Sequence, residues 1–216
     1  MIREVAVENM TLIAAAIQAG AGRIELNDNL AVGGTTVSAG VMHAAVAVAH
    51  EHGVPVVAMI RPRGGDFVYT EAEIAVMVAD LAVARDAGVD AVTFGALTRD
   101  GFLATTVMER LMAAAGNLPV VMHMAFDAIP AHAQAAAIDW LVAHNVVRIL
   151  THGGPLTTPI TATLPHLQEI VGWAHGRIGI LPGGGVTMDN VAMVTSTLDV
   201  SEAHGTKIVG QLTTGV

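Results

Sequence analysis

Glu4, Glu25 and Glu202 stand in short β-branched segments widely spaced along a chain of 216 residues. Side chains alternate across a strand. In Arg23-Ile24-Glu25-Leu26-Asn27, the polar residues Arg23, Glu25 and Asn27 therefore share one face and Ile24 and Leu26 the other. The same reading places Glu4 with Ala6 and Glu8, Glu202 with Val200 and His204, Arg61 with Val57 and Met59, and His123 with Val121. Carboxylates and imidazoles exchange protons near neutral pH once their surroundings tune them. Glu25, His123 and Glu202 are thus the candidate acids and bases. His123 and His204, together with carboxylates, are candidate ligands for a divalent ion; no HxH or HExxH spacing accompanies them.

A second set of residues suits anions. Residues 59–67 read MIRPRGGDF, and the guanidinium forks of Arg61 and Arg63 match carboxylate and phosphate. LPGGGV at 181–186 brings Gly183, Gly184 and Gly185 ahead of Thr187, read as a helix N-cap. A glycine-rich turn opening a helix presents free N–H groups to an anion. THGG (Thr151, His152, Gly153, Gly154) and HGTK (ending in Gly205, Thr206, Lys207) are two more loops of small residues and donors. Lys207 is the only lysine, hence the only side chain for Schiff-base chemistry. Each feature also has a purely structural reading, as an ion-pair network or as turns that need glycine. Six further histidines (His43, His50, His52, His132, His144, His175) fall in helices or helix ends and read as surface or structural. Met122 and Met124 fall opposite His123 and read as core.

These residues are positioned by a repeat. Eight strand-like runs alternate with Ala-rich stretches of helical spacing. Ser38 is an expected N-cap, Thr70 with Glu73 a capping box, and Gly20, Gly53 and Gly88 C-terminal stops. AGAGRIEL, AGVDAVTFG, HNVVRILTHGG and HGRIGILPGGG repeat one helix-end, turn and strand phrase. The pattern predicts an α/β fold, a (β/α)8 TIM barrel in a single domain over residues 1–216, with helix eight short or missing. A doubly wound sheet is the alternative, but the first strand ends VAVENM without the glycine turn that fold carries. In the barrel, Glu4, Glu25 and Glu202 lie on neighbouring strands, with Arg61 and Arg63 as the expected counter-ions. A flank left bare by a missing helix suggests a homo-oligomer, dimer or tetramer.

The net charge of −9 and the lack of a basic stripe argue against nucleic acid. The absence of cysteine excludes disulfides and thiolate chemistry. No apolar run reaches the ~18–20 residues that cross a bilayer, and no leader pattern opens the chain, so a cytoplasmic protein without membrane partners is expected.

RIEL, GGTT, MIRPRGGDF, HMAFD, LTHGG, GGG and HGTK, in this order over residues 2–209, resemble the CutC family, the copper homeostasis proteins. The resemblance implies a cytoplasmic, oligomeric (β/α)8 barrel and a role in copper homeostasis or copper binding. By motif it singles out Glu4, Glu25, Arg61, Arg63, Asp66, His123, Asp127, Thr151, Gly183, Gly184, Glu202 and His204. Where many relatives have Cys, this chain has Ala6 and Asn27, and Met124 replaces an arginine. Copper as cofactor would therefore depend on His, Met or carboxylate. Three functions stay open: copper handling; an isomerase, lyase or hydrolase acting on a small anionic or phosphorylated metabolite; and a non-catalytic scaffold.

Overall fold

A computed structural model describes residues 1–213. Eight strands, β1 (Ile2–Glu8), β2 (Arg23–Asn27), β3 (Val56–Met59), β4 (Ala91–Phe94), β5 (Val120–Met122), β6 (Arg148–Thr151), β7 (Gly179–Pro182) and β8 (Glu202–His204), alternate with helices. The helices are α1 (Ile13–Gln18), α2 (Ala39–Glu51), α3 (Glu71–Ala87), α4 (Thr105–Ala115), α5 (Ala131–Ala143), α6 (Ile160–Ala174) and α7 (Val191–Leu198). All paired strands are parallel, in the order β7-β6-β5-β4-β3-β2-β1-β8. A parallel bridge between Thr187 and Lys207, in the segments that follow β7 and β8, ties the two ends of the sheet together. This is the expected (β/α)8 barrel. Among the described residues no helix follows β8, as expected.

The strands are short and buried on both sides, as parallel strands must be when helices cover their outer face. The main core lies between strands and helices, where Ile24, Leu26, Ile60, Met77, Leu81, Phe94 and Phe126 are almost fully buried. Each such side chain contributes ~1.5–3 kcal/mol. The helix starts follow local chemistry. Ser38 Oγ accepts the Val41 N–H, and Thr70 and Glu73 form the reciprocal box. Thr187 does not cap α7. Asn190 holds the N-cap position, and its amide bonds to Thr187 N–H and Gly185 C=O, closing the turn.

The lumen is divided. Val57, Ala91 and Val121 form a small apolar cluster on β3, β4 and β5. Facing them, Glu4, Arg23, Arg148, Glu202 and His204 make a charged half on β1, β2, β6 and β8.

Candidate active site

The charged half follows from register. Glu4 on β1 is paired with Arg23 on β2 and with His204 on β8. The Arg23 Nε–H donates to Glu4, and its Nη2–H donates to Glu202 at 2.7 Å. His204 Nδ1 lies 2.8 Å from the other Glu4 oxygen. Its Nε2 lies 3.8 Å from Glu25 Oε2, which also accepts from the Asn27 side-chain amide at 2.9 Å. Glu4, Arg23, Glu25 and His204 are all more than nine-tenths buried.

Burial alone would raise the pKa of Glu4, but the hydrogen bond and charge of His204 and the charge of Arg23 bring it down to about 2. Glu25 differs. Burial and the charge of Glu4 push it up, against the charges of His204 and Arg23 and the Asn27 bond. Burial would lower His204, but the charges of Glu25 and Glu4 overcome it and raise it. Two adjacent carboxylates thus have separated roles, a fixed anion and a poised acid or base.

The sign of the His204 effect is testable. A histidine whose folded value is raised stabilises fully below its unfolded value of 6.5 and loses that contribution as pH rises through the folded value. His204→Asn is therefore expected to cost more stability at pH 6 than at pH 9, as measured by urea unfolding.

Above this floor, at the C-terminal ends of the strands, opens a cavity of about 810 Å³. Glu25, Asn27, Arg61, His123, Asp127, Thr187, His204, Thr206 and Lys207 supply its polar lining, and Leu30, Met59, Phe67, Met124, Leu150 and Leu156 much of its apolar wall. His123 stands just past β5, 3% exposed. Its Nδ1 accepts the Ala125 N–H, and Phe67 packs on the ring at 5.0 Å. Burial and then the charge of Arg61 lower its pKa to about 3, so the ring is neutral.

MIRPRGGDF builds the wall. Arg61, 5% exposed, donates through Nη1 to the carbonyls of Val32 and Gly34 and through Nη2 to that of Gly65. It thereby locks the loop after β2 to its own loop, and its guanidinium lies 4.8 Å from the Phe67 ring. Arg61 lines the cavity but compensates no carboxylate; Arg23 does that. Arg63 turns outward to Glu73, Asp66 and the carbonyl of Val68. Arg61→Met is expected to loosen both loops, read as faster amide exchange in residues 30–36 and 63–67 than in α3.

The structure brings Glu25, Arg61, His123, His204, Gly184, Gly185 and Lys207 onto one cavity. Glu202 lies below it, held by Arg23 and 4.0 Å from Arg148. Arg63, Asp66, Thr151 and Gly183 also lie outside the lining. The loop after β6 is closed: Asp127 accepts from Thr151 and from the N–H groups of His152 and Gly153, and His152 reaches the carbonyls of Gly183 and Thr158. Met124 lines the cavity because a 3-10 turn over Met124–Ala128 replaces strand geometry there. The six peripheral histidines are exposed or half-buried.

Sequence reasoning overlooked Arg23 as counter-ion, Asn27 as the group that holds Glu25, and Phe67. The alternation in RIELN already faced the first two inward.

A CutC family model matches residues 1–209. The chain belongs to the CutC family. It is 52% identical to the family protein CutC of Enterococcus faecalis over 209 residues, covering 97% of this chain and 100% of that one. It is 39% identical to the human copper homeostasis protein cutC homolog over 203 residues, covering 94% of this chain and 72% of the relative. The crystal structure of CutC from Streptococcus agalactiae superposes with a TM-score of 0.94 at 43% identity, covering 96% of this chain and 99% of that chain.

The human relative's name carries copper. Glu4, Glu25 and His204 offer ligand atoms within 4.8 Å of one another, and His123 stays outside that group. The donors are two carboxylates and an imidazole, whereas copper(I) prefers sulfur and the chain has no cysteine. Glu4 is also already bonded to Arg23 and His204, so an added cation would face a guanidinium. Glu4, Glu25 and His204 do not by themselves fit copper(I), whose sulfur donors would have to come from Met59 and Met124 on the cavity wall.

Proposed function

We propose that this CutC-family chain is an enzyme in which Glu25 and His204 move a proton on a small anionic molecule held in the cavity. The observation that carries the reading is the pair itself: a carboxyl raised by burial, beside an imidazole raised by two carboxylates, at the floor of a cavity of about 810 Å³. Groups shifted by burial and by each other's charge, set together in a cavity, are candidates for acid–base chemistry. The anionic character of the ligand is supported by Arg61, buried without a carboxylate partner, and by Lys207 at the rim. A scaffold would gain nothing from a buried carboxyl that is costly to ionise.

The test is thermal unfolding against a panel of small carboxylates and phosphate esters. At least one is expected to raise the melting temperature of wild type by several degrees and to lose that effect in His204→Asn. A panel that shifts nothing in wild type would remove the reading.

Copper handling is the second reading, favoured by the family and by the convergence of Glu4, Glu25 and His204. It is checked by anaerobic titration with copper(I) against a competing chelator, beside copper(II) and zinc(II). Given the donor set, no stoichiometric copper(I) binding tighter than micromolar is expected. Tight binding lost in a folded His204→Asn variant would restore a copper role.

A further inference from the structure

One ring nitrogen of His123, a residue that lines this cavity, is left without a partner among the described residues. Nδ1 accepts the Ala125 N–H at 3.2 Å, so the neutral ring carries its proton on Nε2. That Nε2 is buried and makes no hydrogen bond among the described residues, in a residue that lines the cavity. A buried donor without an acceptor is costly, and a preorganised one that needs no reorganisation suits an oxygen that gains charge during a reaction. Phe67 tilts across the ring at 56°, and Gly95 lies close against its Nδ1 side. Arg61 and burial keep the ring neutral, so it acts as a hydrogen-bond donor and not as a cation. Glu25 and His204 reach the same cavity from β2 and β8, across the lumen from β5.

We propose that the ligand is a small carbonyl compound bearing a carboxylate or a phosphate, whose carbonyl oxygen accepts the Nε2–H of His123 while Glu25 takes a proton from the adjacent carbon. This rests on the acid–base reading above and selects isomerase or lyase chemistry from it. The step balances without a co-reactant. The C–H bond breaks and its proton passes to ionised Glu25 beside protonated His204. The electron pair forms the C=C bond of an enolate, and the carbonyl π pair moves onto the oxygen held by His123. Reversal returns the proton to the same carbon or a neighbouring one.

The experiment has a binding arm and a reaction arm. In the first, protein labelled with nitrogen-15 in its histidines is titrated with oxalate, a planar dianion resembling an enolate. His123 is expected to show a protonated Nε2 and a bare Nδ1 from pH 5 to 8, with the Nε2–H resonance moving downfield on oxalate binding. In the second, pyruvate and dihydroxyacetone phosphate are incubated with the enzyme in deuterium oxide, and exchange beside the carbonyl is followed; the two probes separate the carboxylate from the phosphate class.

His123→Asn keeps an acceptor for Ala125 but places no donor at the Nε2 position, and is expected to slow exchange by ~10²–10³-fold. His123→Gln, which restores a donor near the Nε2 position, is expected to recover most of it. A resonance that oxalate moves, without exchange of either probe, overturns the enolisation step and this inference with it, while the acid–base reading stands or falls on the thermal-unfolding panel. Exchange that needs Glu25 but not His123, or that borohydride traps on Lys207, overturns this inference and leaves the acid–base reading intact. A bare Nε2, or one that no probe moves, also overturns it.

Discussion

Arg23→Met is expected to unfold at a far lower urea concentration than wild type, with a loss of about 3–5 kcal/mol. Arg23 is the single guanidinium bonded to both Glu4 and Glu202, and Arg23 and Glu4 are nearly water-free. Removing it leaves buried carboxylates with an incomplete set of partners: His204 still reaches Glu4, and Arg148 stands 4.0 Å from Glu202. The large cost comes from the stranded charge, not from the worth of the pair. The double variant Glu4→Gln with Arg23→Met should therefore recover a substantial part of the loss, because the buried charge goes with its partner. Equal losses in the single and double variants would show that Arg23 acts by packing alone. Acid should act in the same direction. Stability contributed by Glu4 is present above its unfolded value of 4.5 and is lost as pH falls toward about 2.

Glu25→Gln has the opposite profile. It is expected to lower deuterium exchange by ~10²–10⁴-fold, the usual worth of a positioned general base, while the melting temperature at pH 8 stays near wild type or rises. Glutamine keeps the shape and can still accept from Asn27, yet removes a carboxyl that burial makes costly to ionise. A residue whose replacement helps the fold and harms the reaction is placed there for function. A variant that loses stability and leaves exchange unchanged would assign Glu25 to the structural network instead.

Much of the site was legible because strand alternation is local. RIELN sends Arg23, Glu25 and Asn27 to one face, and all three prove to be in the lumen. The βα repeat, the Thr70–Glu73 box and the end of the helical pattern before β8 likewise depend on neighbours a few residues apart. In MIRPRGGDF, Arg61 braces two loops through their carbonyls while it lines the cavity, and Arg63 pairs with Glu73. Whether a guanidinium meets a ligand or a carbonyl depends on Val32 and Gly34, which lie far from Arg61 in sequence. The loop THGG looked open because glycine and threonine advertise donors. Asp127 occupies those donors from another βα unit.

The pattern of residue types therefore determined the barrel, its family and the inward-facing polar set, all of which follow from periodicity and motif order. Only the tertiary structure decided which of those groups neutralise one another and which remain for a ligand. Charge and hydrogen-bond satisfaction act through space over a few ångströms. The partners of Glu4, separated from it by 19 and 200 positions, become neighbours only when β8 comes to lie beside β1. The same closure leaves Glu25 poised beside His204, while the turn after β5 leaves the His123 Nε2 without a partner among the described residues.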